Sequence, residues 1–424
     1  MSRKKKNKRW TKFRHKAFTF IVNIFLKPYT ILKYRLRAEI FDEARRGQYL
    51  VLFNHQTAFD QFFVGITMKS RTMYFVASED IFSNGLTSKI ISYLVSPIPI
   101  KKQTADVRAV LNCIKVAREG GTIALAPEGN RTYSGRTLYM NPAIAPLARK
   151  LGLPIAFVRI EGGYGVHPRW SDVVRRGEVR SYVSRVMKPE EYMELSDEEL
   201  MKTINEELYV DEGCVSGTFK HKRRAEYLER AMYVCPFCGL SEFESHGDII
   251  ECKKCKRKIT YTETKELVGV GFDFPFRFVT EWYDYQEDFV SSLDTLSMCD
   301  EPIYRDTVRM SRVIVYKKKE LIDKSAAVEL FGDRICIHTD KNEYNLAFSD
   351  ISALTVLGKN KLNIYTGDDL YQFKGDKRFC ALKYVNLFFR TKNILKGDAN
   401  GNSYANGSSY ANGNGSAGRE FLGL

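Results

Sequence analysis

Short apolar runs alternate with helix-like segments between about residue 48 and residue 185 of the chain. From Thr104 to Glu119, apolar residues recur at helical spacing and two glycines follow, so this segment is predicted to be a helix. A second helix is predicted over residues 142–151. Strands separated by helices predict a mixed α/β sheet with flanking helices. The apolar runs of strand length are Tyr49–Phe53, Met73–Ala77, Thr122–Ala126 and Pro154–Val158.

A histidine and a carboxylate follow the first of these strands. His55 and Asp60 stand shortly after Phe53, with four residues between them. An imidazole held by a carboxylate can take a proton from a hydroxyl near neutral pH. Sheets of this class bind their ligands just past the strand ends. The pair is therefore a candidate catalytic base, although the same spacing also arises by chance.

A second polar segment follows the strand Thr122–Ala126. It runs Pro127-Glu128-Gly129-Asn130-Arg131-Thr132. A glycine lets the backbone come close to a ligand, and an arginine offers a planar fork of donors suited to phosphate. The alternative is an ordinary polar turn in which the arginine is solvated.

Together the two segments resemble the glycerolipid acyltransferase family over about residues 35–210. His55 and Asp60 match its N-H-x-x-x-x-D motif, and residues 127–131 match its P-E-G-x-R motif. Two weaker matches occur in the expected order, at residues 97–102 and 153–158. In the first of these a lysine, Lys102, stands where the family has an arginine, which keeps the charge but loses the bidentate geometry.

The resemblance implies a reaction and a set of roles. The family moves a fatty acyl group from a thioester to glycerol-3-phosphate or its monoacylated form. His55 would deprotonate the acceptor hydroxyl and Asp60 would hold the imidazole tautomer. The implied acceptor is lysophosphatidate, and the donor is acyl-CoA or acyl carrier protein. Another lysophospholipid or small hydroxyl acceptor stays open. The implied substrate-binding residues are Glu128, Gly129, Arg131 and Lys102.

The N-terminal segment, residues 1–34, is basic and contains a short apolar stretch. The chain carries a net charge of +15 and has no acidic residue before Glu39. Residues 17–26 are apolar, which is too short for the ~20 residues that cross a bilayer, and no signal-peptide cleavage site follows. A solvated tail is the alternative. We expect an interfacial helix that holds a peripheral protein, without a transmembrane helix, on the anionic cytoplasmic face of a membrane.

Four of the nine cysteines form two C-x-x-C pairs. They are Cys235 with Cys238 and Cys252 with Cys255, separated by thirteen residues. This pattern resembles a zinc ribbon and predicts a structural zinc with four thiolate ligands. Iron or two disulfides are the alternatives. The other cysteines are scattered and odd in number, which suits free thiols in a reducing compartment.

A function of another class uses the same ribbon. A zinc-ribbon protein with a basic N-terminus can bind nucleic acid through lysines such as Lys253, Lys254 and Lys256. Acidic residues such as Glu244 and Glu251 flank these lysines and argue against it.

Length and later patterns complete the domain prediction. At 424 residues and 44% hydrophobic content the chain predicts two or three folded domains. Past residue 317, short alternating strands and one final helix resemble a small α+β, pleckstrin-homology-like domain. The predicted segments are a membrane-binding segment 1–34, an acyltransferase domain 35–210, a linker 211–232, a zinc ribbon 233–265, a mostly β domain 266–396 and a flexible tail 397–424.

Overall fold

The structure is a computed structural model that describes residues 9–78, 82, 86–100, 106–314, 319–367 and 369–397. Lys102 and almost all of the predicted tail lie outside these residues. The chain divides into two compact units. The first consists of residues 1–131, 137–163 and 178–210, and the second of residues 132–136, 164–177 and 211–424.

The first unit contains one seven-stranded sheet. Its strands are β1 (Leu36–Ala38), β2 (Leu50–Phe53), β3 (Met73–Ser78), β4 (Ile98–Ile100), β5 (Thr122–Leu125), β6 (Ile155–Glu161) and β7 (Val179–Met187). They are arranged in the order β1-β7-β6-β2-β5-β3-β4. Within the described residues, β6 and β7 form the antiparallel pair and the other neighbours are parallel. The predicted mixed sheet is therefore confirmed, while β1 and β7 had not been predicted.

Helices connect most of these strands. They are α1 (Phe13–Tyr34), α2 (Asp60–Thr67), α3 (Leu86–Leu94), α4 (Val107–Arg118), α5 (Ile144–Leu151), α6 (Gly163–Val166), α7 (Pro189–Tyr192) and α8 (Asp197–Leu208). Of α6, only Gly163 belongs to the first unit. The helix predicted from Thr104 begins at Val107 instead, because the Asp106 side chain caps it by accepting a hydrogen bond from the Ala109 N–H at 3.1 Å.

Helix α1 is longer than the apolar stretch that predicted it. It has 22 residues and continues through Pro28. Its C-terminal end is fixed by Tyr34, whose ring packs on Phe59 and Phe63 with centroids 4.8 and 5.2 Å away. Among the described residues, no helix is both long enough and apolar enough to cross a membrane. Large apolar side chains of α1 are nevertheless exposed, namely Phe13, Phe20, Ile21, Ile24, Phe25 and Leu32.

Within the second unit, residues 234–269 form a small cysteine-rich region. Its short strands form a two-stranded and a four-stranded antiparallel sheet, and helix α9 follows them. The elements are β8 (Val234–Cys235), β9 (Gly239–Leu240), β10 (Phe243–His246), β11 (Ile249–Cys252), β12 (Lys258–Tyr261), β13 (Leu267–Gly269) and α9 (Val279–Ser292).

A second seven-stranded sheet, antiparallel throughout, follows α9. Its strands are β14 (Tyr304–Arg312), β15 (Glu320–Leu330), β16 (Arg334–His338), β17 (Glu343–Ala347), β18 (Ile351–Leu357), β19 (Lys361–Thr366) and β20 (Asp369–Lys374), and α10 (Ala381–Leu395) ends the unit. The order β17-β16-β15-β14-β20-β19-β18 agrees with the small α+β domain expected from the sequence. Strand β14 had not been predicted.

The cysteine-rich region and the second sheet share one hydrophobic core. The Trp282 indole donates a hydrogen bond to the Val234 carbonyl at 2.9 Å. The Tyr304 hydroxyl donates to the Tyr233 carbonyl at 3.1 Å, and the Asn386 amide donates to the Tyr233 hydroxyl at 2.7 Å. Buried polar groups that are paired in this way fix one packing of the core.

Candidate active site and candidate metal site

Strands β2 and β5 are parallel neighbours in the first sheet. Leu52 lies opposite Leu125, so the two strands end at the same edge. The loop that carries His55 follows β2, and the loop that carries Glu128 follows β5. The topology therefore brings together two segments that are more than 70 residues apart in sequence.

His55 and Asp60 form a hydrogen-bonded pair at this edge. The His55 Nδ1 lies 2.7 Å from the Asp60 Oδ2. The Asp60 side chain is completely buried, whereas 26% of the His55 side chain is exposed. A carboxylate at Nδ1 favours the tautomer with its proton there, which leaves Nε2 as the basic nitrogen. The arrangement therefore suits a general base that a substrate hydroxyl can reach from the surface.

Asp60 is itself fixed by its neighbours. Its carboxylate accepts hydrogen bonds from the Gln56 N–H at 2.7 Å and from the Thr57 N–H at 3.0 Å. The Thr57 hydroxyl donates to it at 2.7 Å. Neither partner of Asp60 was predicted from the sequence. A threonine three residues before an aspartate that begins a helix is a local signal for such side chain–backbone bonding.

Glu128 lies buried between the two loops. One carboxylate oxygen accepts from the His55 N–H at 2.6 Å and the other accepts from the Leu138 N–H at 2.7 Å. Burial raises the pKa of Glu128 to about 8, although these two N–H groups act in the opposite direction. Both oxygens are engaged by backbone, so the contacts favour a role in holding the loops over direct contact with a substrate.

Two other predicted binding residues, Gly129 and Arg131, lie in the loop that follows β5. Gly129 has a φ of 67°, in the left-handed region where glycine is favoured, and its N–H donates to the Ala126 carbonyl at 3.1 Å. A Cβ at Gly129 would meet nothing within 4 Å, so the backbone conformation rather than lack of space requires glycine. Arg131 is half-buried at the end of the same loop.

Asn54 connects the end of β2 to β6. Its side-chain amide donates to the Ile160 carbonyl at 2.8 Å and accepts from the Ile160 N–H at 2.7 Å. These bonds continue the β2–β6 pairing past Phe53, which lies opposite Val158. Asn54 does not cap α2, because the residue at that position is Phe59. It instead positions the residue that precedes His55.

The four predicted cysteine ligands lie together in the second unit. The Sγ atoms of Cys235 and Cys255 are 3.7 Å apart, those of Cys238 and Cys252 are 3.6 Å apart, and all four lie within 4.8 Å of one another. Zinc bound tetrahedrally at about 2.3 Å holds its sulfurs about 3.8 Å apart, whereas a disulfide bond measures about 2.0 Å. The cysteines are free, and their spacing fits a metal ion such as zinc.

The residue after each C-x-x-C pair has the same left-handed backbone conformation. Gly239 and Lys256 each follow the second cysteine of a C-x-x-C pair, and their φ angles are 73° and 61°. The Ser241 hydroxyl lies 3.1 Å from the Cys252 Sγ, where it can donate to a thiolate. Such outer contacts orient metal ligands.

The lysines around the cluster have acidic neighbours. Lys253 lies 3.9 Å from Glu242, and Lys256 and Lys258 lie 4.0 and 3.6 Å from Glu251. Two carboxylates therefore lie near three of these lysines and partly offset their charge.

Comparison with known proteins bears on the first unit. Residues 35–161 match the model of the Acyltransferase family. Among solved structures, the chain is similar to the 1-acyl-sn-glycerophosphate (LPA) acyltransferase PlsC from Thermotoga maritima, with 25% identity and a TM-score of 0.39 over 46% of this chain and 80% of that chain. Comparison with curated proteins gave no match. The span matched by the family model contains β1–β6 and the loops that carry His55, Asp60, Glu128 and Arg131.

Proposed function

We propose that this chain, whose residues 35–161 match the Acyltransferase family model, transfers a fatty acyl group from a thioester to the free hydroxyl of lysophosphatidate, giving phosphatidate. One observation carries the proposal: a partly exposed imidazole is held at 2.7 Å by a fully buried carboxylate. That pair supplies the base that the acceptor needs, and the acceptor itself is the nucleophile.

In the proposed reaction, His55 Nε2 takes the proton of the acceptor hydroxyl as its oxygen attacks the thioester carbonyl carbon. The Asp60 carboxylate stabilises the resulting imidazolium. When the tetrahedral intermediate collapses, the carbon–sulfur bond breaks and the departing thiolate receives the proton from His55. The products are the new ester and the free thiol of acyl-CoA or of acyl carrier protein.

We assign the acceptor phosphate to two positively charged side chains, Arg131 and Lys102. Arg131 supplies a guanidinium fork, and Lys102 supplies a second charge. Gly129 keeps its loop free of a side chain, so a phosphate can come close to the backbone. Glu128 supports the site through the backbone N–H groups of His55 and Leu138 and does not contact the acceptor.

Membrane association is the second part of the proposal. The exposed apolar side chains of α1 recur at helical spacing, and Arg14, Lys16, Lys27 and Lys33 accompany them. A helix of this composition lies in the interface of an anionic membrane, where lipid acceptors are found. We assign the surface to the cytoplasmic face because scattered free thiols suit a reducing compartment.

For the cysteine cluster we propose structural zinc. Four thiolates complete a tetrahedral shell and leave no open position for a substrate, so the ion would stabilise the second unit and take no part in acyl transfer.

The decisive experiment follows a labelled acyl group from acyl-CoA and from acyl carrier protein to lysophosphatidate. We expect labelled phosphatidate with the intact protein and at least about 1,000-fold slower transfer with His55→Ala. His338→Ala is the matched control, since that histidine lies on β16 of the second unit. Its transfer rate should equal that of the intact protein.

The outcomes separate the parts of the proposal. Transfer that survives in the His55→Ala variant contradicts the assigned base. Label that appears only in another lysophospholipid contradicts the acceptor while keeping the reaction class. Absence of transfer to every lysophospholipid tested, with both donors and a folded protein, contradicts the acyltransferase assignment itself.

A further inference from the structure

Three positively charged side chains lie in register across the second seven-stranded sheet. Arg309 on β14 lies opposite Lys374 on β20, and Lys374 lies opposite Lys361 on β19. Directly opposed residues of antiparallel strands point to the same face, with Cβ atoms about 5 Å apart. Arg309 and Lys374 are exposed and Lys361 is partly exposed. We call this set the cation row.

The cation row differs from the other charges of this sheet. Three of the four other cations on these strands have an acidic partner, whereas within the described part of the chain no member of the row forms an ion pair. The paired cations are Arg305 with Glu329, Arg312 with Asp369 and Arg334 with Asp333.

Like charges directly opposite each other destabilise a sheet. Two such pairs side by side make the cation row unfavourable for folding unless an anion offsets the repulsion. A phosphate group bridges cations at this spacing through charge-assisted hydrogen bonds, and the guanidinium of Arg309 adds a bidentate contact.

The side chain beside the row indicates what carries the phosphate. Leu321 on β15 lies opposite Ser311, which stands two residues from Arg309 along β14. The pairing of β14 with β20 is regular here, so Ser311 shares the face of Arg309. Ile322 packs against the core, so its neighbour Leu321 belongs to the face of the cation row, and it is 42% exposed. An exposed aliphatic side chain next to cations suits a lipid surface, whereas sequence-independent binding of single-stranded nucleic acid uses aromatic rings.

We propose that the cation row is a docking surface for the phosphate groups of an anionic membrane. The row belongs to the second unit, whereas the His55 loops belong to the first, and the proposal requires no acyl transfer. It gives the second unit its own membrane contact, one that depends on charge and therefore on the anionic lipid content and on ionic strength.

The test measures sedimentation of the full chain with vesicles of phosphatidylcholine alone and with vesicles that also contain phosphatidate. The variant carries Arg309→Gln, Lys361→Gln and Lys374→Gln. The matched control removes three other exposed cations of the second unit that do not lie on the strands of the second seven-stranded sheet, by Lys222→Gln, Lys341→Gln and Lys377→Gln. Each cation near an anionic surface changes the affinity about fivefold, so the row variant should bind phosphatidate vesicles about 100-fold more weakly.

Binding of the row variant to neutral vesicles should not change, and the control should keep most of its affinity for phosphatidate vesicles. Equal losses in the two variants overturn the proposal, because they indicate only net charge. A loss of single-stranded nucleic acid binding with unchanged vesicle binding also overturns it. If the triple variant does not fold, Lys374→Gln alone removes the central charge and should weaken binding about fivefold. Acyl transfer to detergent-dispersed lysophosphatidate, measured on the same variant, reports separately on the proposed function.

Discussion

The Asp60 carboxylate accepts hydrogen bonds from three groups besides His55. The N–H groups of Gln56 and Thr57 and the Thr57 hydroxyl all donate to it, and its side chain is completely buried. These hydrogen bonds hold the carboxylate at the position that orients the imidazole. Replacing one carboxylate oxygen of Asp60 by an amide nitrogen tests whether acyl transfer requires the charge of this side chain or only its shape.

Asp60→Asn is expected to slow acyl transfer about 10,000-fold with a small change in the KM for the acceptor. An amide nitrogen facing Nδ1 selects the tautomer that carries its proton on Nε2, which cannot act as a base. Steady-state kinetics check this. Asp106→Asn is the control, because Asp106 also bonds a backbone N–H at the start of a helix. Similar losses in both variants would indicate a general effect on folding.

Glu128 should make the first unit less stable as the pH rises. Burial raises its pKa to about 8 from 4.5, so between these values the folded chain keeps a proton that the unfolded chain has released. The stabilising contribution is complete below about pH 4.5 and is lost as the pH rises through about 8.

Glu128→Gln removes this titration. We expect hydrogen exchange in peptides covering residues 50–60 to show protection that falls from pH 5 to pH 8 in the intact protein, after correction for intrinsic exchange rates. The variant should be less protected at pH 5, because the amide nitrogen cannot accept from an N–H group, and its protection should be flatter across this range. Parallel pH profiles in the two proteins would contradict the assignment.

At the scale of elements, α1 has an exposed apolar surface that does not pack against the rest of the described chain. Only one side of the helix contributes buried residues, which include His15, Thr30 and Tyr34. The exposed side carries phenylalanine, isoleucine and leucine side chains. Exposed apolar patches on this scale mark contacts with a partner or with a membrane.

Phe20→Ser, Phe25→Ser and Leu32→Ser together should weaken binding to neutral vesicles at least about 100-fold, since burying each large apolar side chain contributes about 1.5–3 kcal/mol. Vesicle sedimentation measures the effect. The matched control replaces three exposed apolar side chains elsewhere in the first unit, Ile40, Met193 and Tyr209, with serine. An equal loss in the control would contradict a specific role for α1.

At the scale of the whole molecule, the cysteine cluster forms part of the hydrophobic core of the second unit. Cys235 and Cys252 are buried in the same hydrophobic core as Trp282 and α10. A metal ion that fixes the four sulfurs therefore stabilises more than the short strands that carry them. Metal-binding free energy in such a site contributes directly to folding.

Removal of zinc should lower the melting temperature of the second unit by on the order of 10 °C or more. Elemental analysis should find one zinc per chain, and melting followed by tryptophan fluorescence with and without a chelator measures the loss. Cys252→Ser should reproduce it, while Cys336→Ser, which lies outside the cluster, should not. A protein that contains no metal yet melts normally would contradict the assignment.

The sequence by itself determined the features that depend on short spacing. Four residues separate His55 from Asp60 and two residues separate the cysteines of each pair, so one turn of chain is enough to bring each pair together. Periodicity likewise predicted α4, α5 and most strands of the second sheet, because core-facing positions recur along an amphipathic element.

Only the tertiary structure decided the contacts that depend on strand order. β5 pairs with β2, so the Glu128 carboxylate reaches the backbone of His55, and a second backbone N–H comes from Leu138. The register of β14, β20 and β19 places Arg309, Lys374 and Lys361 side by side, although they are scattered in sequence. Hydrogen bonding between strands selects such neighbours, and local sequence patterns do not encode which distant strands pair.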